Sequence, residues 1–115
     1  MNIENRTVIT GFAQQTHTVE YSPAQLMLGF SQLSGRITGT DREESVRSTV
    51  ILLASSITAW SIDNTPLLVT EAEIGKLPDN LIGFIFSEIS QDTARFMEQF
   101  AANFNILLKG DPDGG

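Results

Sequence analysis

The stretch Ile57-Thr58-Ala59-Trp60-Ser61-Ile62-Asp63-Asn64-Thr65-Pro66-Leu67-Leu68-Val69-Thr70 decides how the middle of this chain is read. Upstream, Val46, Val50, Leu53, Ile57 and Trp60 recur with a 4-3-4-3 spacing. That spacing predicts a helix that begins after Thr40 or Asp41 and carries Trp60 at its end. Ile51, Leu52 and Ala54 widen its apolar stripe, as in a helix buried on more than one side. Asp63-Asn64-Thr65-Pro66 is a turn by composition. Thr70 with Glu73 three residues on is a capping box. It opens a short helix that ends near Leu77, where Pro78 supplies the break.

Working outward, residues 5–12 are rich in β-branched side chains (Thr7 to Thr10) with no turn-forming cluster, which predicts a strand. Val19 and Tyr21 alternate within a second strand over His17–Tyr21, and Ala13-Gln14-Gln15-Thr16 is read as the connection, longer than the tightest two-residue type. Two strands alone are marginal in water, so this ribbon must lean on helices or join another sheet. Ser22-Pro23 is a helix opening, with Leu26, Phe30 and Leu33 on one stripe and Gly35 as the stop. Residues 36–40 read as a connector. Asp79 caps a further helix with Leu81, Ile82, Ile85, Phe86 and Ile89 on its apolar face. Beyond a bend or continuation near Ser90-Gln91-Asp92, Phe96, Phe100, Phe104 and Leu107 or Leu108 share a face. The expected fold is α+β: an N-terminal two-stranded β-hairpin followed by a mainly helical body of four to five helices. Residues 1–109 are expected to form one domain, with 110–115 as a disordered polar tail.

With 115 residues, 41% apolar and 18% charged, the chain holds one modest core. Its formal charge of −7 is spread, and the longest acidic run is Glu43-Glu44. That balance argues against nucleic acid or an anionic membrane as partner. The N-terminus lacks a signal-peptide layout, and the longest apolar-rich stretch, 50–57, is broken by Ser55-Ser56 and too short to span a bilayer. A soluble, cytoplasmic protein is expected.

Catalytic constellations are sparse. Cysteine is absent and His17 is the only histidine, so one chain cannot assemble a two-histidine zinc site. His17 itself reads as a surface or half-buried strand residue. Glu43-Glu44 and Glu71/Glu73 point to different helix faces and make no acid–base dyad. Residues 34–40 lack the ending of a phosphate loop. No catalytic residue, metal ligand or cofactor site is assigned, and no enzyme activity is expected. What remains is surplus apolar surface. Ile51, Leu52, Phe84, Met97 and Phe104 are the candidate partner-binding residues, because an exposed apolar patch marks an interaction site. A homo-oligomer would use the same surplus.

The order of Ile57, Trp60, Asp63, Pro66, Thr70, Ile74, Leu77 and Pro78, followed by apolar helices, resembles the tail assembly chaperones of long-tailed bacteriophages. The pattern covers residues 41–90, and the turn 63–65 lacks the glycine usual in that family. The resemblance implies a non-enzymatic scaffold for tail assembly. Such a protein would bind apolar helical segments of the tape-measure protein and be displaced as tail-tube subunits polymerise. It would work in the host cytoplasm and be absent from the mature virion, and the family often adds a longer frameshifted product. The alternatives are a structural tail or head-completion protein, or a small acidic inhibitor or antitoxin-like regulator.

Overall fold

The computed structural model describes residues 4–34 and 42–109. The elements run β1 (Arg6–Phe12), β2 (Gln15–Tyr21), α1 (Pro23–Ser34), α2 (Arg42–Ser56), β3 (Ile57–Ile62), β4 (Thr65–Leu67), α3 (Glu71–Gly75) and α4 (Asp79–Lys109). The fold is α+β. All four strands form one antiparallel sheet in the order β1-β2-β3-β4, so the N-terminal hairpin is half of a larger sheet. The expected stop at Gly35, the connector 36–40 and the tail 110–115 lie outside the described residues.

The hairpin turn is the tightest kind, against the longer loop expected. Phe12 pairs with Gln15 across Ala13-Gln14 alone, and both turn residues have positive φ, 52° and 66°. Two left-handed residues in succession match the right-handed twist of the flanking strands. Asp63-Asn64 repeats the device between β3 and β4, with φ of 49° and 68°. Pro66 then sits in the three-residue edge strand β4, where a missing N–H is tolerated.

The helix predicted to reach Trp60 ends at Ser56, and Ile57 and Trp60 belong to a strand. The reason lies in one extra residue. Tyr21 pairs with Ile57 and Glu20 with Ala59, so Thr58 is a bulge. Its hydroxyl lies 2.6 Å from the Glu20 carboxylate on the open face. A bulge lets residues three apart face the same way. Ile57 and Trp60 are therefore both buried, at a spacing that imitates a helix.

Residues alternate cleanly in and out along the sheet. Val8, Thr10 and Phe12 face inward with His17, Val19, Tyr21 and Trp60, while Thr7, Ile9 and Gly11 face outward. The core joins this inner face to Leu26 of α1, Leu52 and Leu53 of α2, Ile74 of α3 and Leu81, Ile82, Ile85 and Ile89 of α4. Gly29 lets α1 press onto α2, since a Cβ there would stand 2.5 Å from Leu52 Cδ1.

α4 is a single helix through Ser90-Gln91-Asp92, about 46 Å long. It runs antiparallel to β1, and the two keep step. Four helix residues rise about 6 Å and two strand residues about 6.6 Å. Accordingly Phe12 meets Phe84 (ring centroids 5.1 Å apart), Thr10 donates to Glu88 at 2.9 Å, and Arg6 lies over Phe96. The long Arg6 side chain also reaches back one helix turn to grip Asp92 at 2.7 and 3.3 Å. The fully buried Tyr21 also donates its O–H to Asp92, at 2.7 Å. The Thr93 hydroxyl lies 2.9 Å from the Tyr21 oxygen and 2.8 Å from the Ile89 carbonyl, with one proton for the two.

Burial pushes the Asp92 carboxyl up, but the bonds from Arg6 and Tyr21 outweigh it and hold it below its usual range. Burial also pushes the Tyr21 phenol up, to about 12. Asp92→Ala takes the charged acceptor from both Arg6 and the buried Tyr21 hydroxyl, leaving the phenol only Thr93, and is expected to cost about 2 kcal/mol, read as a lower urea midpoint. Tyr21→Phe should cost less, and the costs in the double variant should fall short of their sum.

Candidate functional site

Glu43, Val46, Arg47, Val50 and Ile51 stand at successive i, i+3, i+4, i+7 and i+8 positions of α2, so they form one helix face. Opposite them lie Glu71 and Gly75 of α3 and Asp79 at the start of α4. Together these residues line a groove of about 590 Å³. Its floor is apolar, with Val50 buried and Val46 and Ile51 half-buried. Its rim carries Glu43, Glu71 and Asp79 against one cation, Arg47.

The rim has a local cause. Glu43, Glu71 and Asp79 each occupy the first turn of a helix, where the exposed N–H groups and the macrodipole favour negative charge. Three helix starts meet at the groove, so three carboxylates do too. α3 is set in place by the Thr70 hydroxyl, which accepts from the Glu73 N–H at 3.1 Å. The Glu73 carboxylate does not close the expected capping box; it takes Lys76 Nζ at 3.1 Å instead. Ile74 roots α3 in the core, and Leu77-Pro78 turns the chain into α4.

A second, smaller cleft of about 220 Å³ lies between α1 and α4, lined by Leu26, Met27, Phe30, Ser90, Thr93 and Ala94. Phe30, expected on the core stripe of α1, is 53% exposed and stacks on Phe86 with ring centroids 6.2 Å apart.

The five candidate contact residues do not converge on one surface. Ile51 lies in the groove. Leu52 is buried beneath Gly29. Phe84 is half-buried and covers Phe12 of the sheet. Met97 is half-buried on the far half of α4, and the side chain of Phe104 lies outside the described residues. Val46 and the three rim carboxylates were not singled out as site residues in the sequence. The i, i+3, i+4 spacing from Glu43 to Ile51 places Glu43 and Val46 on one helix face, but it carries no mark of the α3 and α4 starts that stand opposite.

His17, expected at the surface or half-buried, is fully buried. Its Nδ1 accepts the Trp60 indole N–H at 3.1 Å, which fixes the proton on Nε2, and Nε2 has no partner. No group of three or more His, Asp or Glu side chains among the described residues is arranged to hold a metal ion. No helix among them is long and apolar enough to cross a membrane. No family model, curated protein or solved structure matches the chain.

Burial pushes the His17 pKa down, against a smaller opposing pull from Asp63. The folded protein therefore binds fewer protons here than the unfolded chain, whose histidine titrates near 6.5. Stability from His17 is present above that value and is lost as pH falls below it, by at most about 1.4 kcal/mol per pH unit. The thermal midpoint should fall between pH 7 and 5, and His17→Gln, which keeps an acceptor for Trp60, should flatten that slope.

Proposed function

We propose that this chain is a non-enzymatic assembly chaperone that holds an apolar helical segment of a client in the groove between α2, α3 and the start of α4. The observation that carries this reading is the groove's build: Val46, Val50 and Ile51 beneath a rim of Glu43, Glu71 and Asp79. An amphipathic helix buries its apolar face on such a floor, while Lys or Arg at its margins meets the rim. The client fitting both this surface and the resemblance to tail assembly chaperones is the tape-measure protein of a phage tail, with the tail-tube protein as a further partner.

The part of that resemblance around Thr70, Ile74, Leu77 and Pro78 corresponds to α3 and its stop, and α3 lends Glu71 and Gly75 to the groove. The part around Ile57 and Trp60 belongs to β3. On this reading the protein acts in the host cytoplasm and leaves before the virion matures. The acidic rim also favours a second reading, a regulator that masks a basic partner.

Both are tested with a fluorescent synthetic helix carrying a leucine stripe flanked by lysines. Ile51→Asp should weaken its binding at least about tenfold with far-UV circular dichroism unchanged, since an apolar anchor in a pocket carries most of the energy. Phe84→Asp should chiefly lower stability, because it faces Phe12. Raising salt from 0.1 to about 1 M should weaken a chaperone's apolar grip only modestly and abolish a purely ionic one. Unchanged affinity in Ile51→Asp contradicts the groove reading.

A further inference from the structure

We infer that β1 is a self-association edge, across which a second copy of this chain adds its own β1 antiparallel, with Ile9 facing Ile9 on the two-fold axis, to make a continuous eight-stranded sheet.

The hydrogen-bond parity of the sheet fixes which groups are on offer. Phe12 and Gln15 flank a two-residue turn and so exchange both backbone bonds. Counting back in twos, Thr10, Val8 and Arg6 also point their N–H and C=O toward β2. The Asp63 N–H bond to the Thr16 carbonyl, at 2.8 Å, confirms the parity on the other side of β2. Thr7, Ile9 and Gly11 therefore direct their backbone groups away from β2, and no strand among the described residues pairs with them.

Edges are normally blunted by proline, charge, a bulge or shortness. β4, the opposite edge, has two of these: it is three residues long and contains Pro66. β1 has none. It runs for seven residues without a bulge, and its one charge, Arg6, is turned inward and held by Asp92. On a molecule of net charge −7, this edge is a neutral strip.

Two further residues fit a partner strand. Ile9 is 69% exposed at the centre of the edge. Gly11 weakens a strand interior, yet nothing in the monomer requires it. A Cβ there would meet only the Gln15 carbonyl, at 3.9 Å, an ordinary contact. A glycine in such a place fits the close approach of another backbone. With Ile9 on the axis, Thr7 faces Gly11 of the other copy on both sides. All three outward residues then exchange their bonds, and the two Ile9 side chains pack together on the open face. This surface is separate from the groove and stands whether or not the chaperone reading does.

Sedimentation of the full chain up to about 1 mM allows for the weakness of so small an interface. The wild type should approach twice its 12.6 kDa mass. Ile9→Lys should remain monomeric with unchanged far-UV circular dichroism. Register is read from single cysteines, since the chain has none of its own. Ile9→Cys should cross-link rapidly under mild oxidant, because facing Cα atoms about 5.5 Å apart suit a disulfide. Thr7→Cys, about 13 Å from its counterpart, should not. A wild type monomeric throughout, or a dimer that survives Ile9→Lys, overturns the proposal. Equal cross-linking at both positions overturns the register.

Discussion

The pairing of β2 with β3 is the constraint on which the rest depends. β2 buries His17, Val19 and Tyr21 completely on one face, and the backbone groups of a strand so deeply buried need a partner on each side. β1 supplies one neighbour through a two-residue turn. The other must come from across two helices, and Ile57–Ile62 arrives antiparallel with Trp60 opposite Val19. Once there, the strand ends α2 at Ser56, whose carbonyl accepts the Ser22 N–H at 2.8 Å and ties the start of α1 to the joint. Trp60 then takes His17 as acceptor, and the sheet offers α4 a continuous inner face.

How much of this was legible depended on whether a signal had one meaning. The Ser22-Pro23 opening, the Thr70 cap and the Pro78 break act through a few adjacent atoms, and each is where the sequence puts it. The segment 57–62 carried two meanings. Its Ile57-to-Trp60 interval continued a helical period from Val46, while its β-branched residues and the following Asp63-Asn64 described a hairpin. The bulge at Thr58 reconciles them: it turns the strand's two-residue period into a three-residue step, which apolar spacing does not distinguish from a helical one. His17 was misplaced for a related reason: a histidine in a two-stranded ribbon has an open side, whereas in the second of four strands it has none.

The candidate site was legible in its ingredients and not in its assembly. Glu43, Glu71 and Asp79 are each accounted for by their own helix start. Only the tertiary arrangement brings those starts to one place and turns three local charges into a rim. The scattering of Leu52, Phe84 and Met97 has the same origin, since lying off a helix's main stripe does not decide which neighbour covers a side chain. α4 meets the sheet on one face, α2 on another and α1 near Phe30, so side chains that look surplus on a lone helix are largely absorbed.

The direct test of the central pairing is an NMR contact between the α-protons of Val19 and Trp60. Facing residues in a non-hydrogen-bonded antiparallel pair bring their Cα atoms to about 4.5 Å, the closest approach in a sheet. A strong cross-strand signal between these protons is predicted, with strand-type shifts from Ile57 to Ile62. Its absence, together with i, i+3 contacts linking Ile57 to Trp60, would show that α2 runs on through the tryptophan and would contradict the sheet.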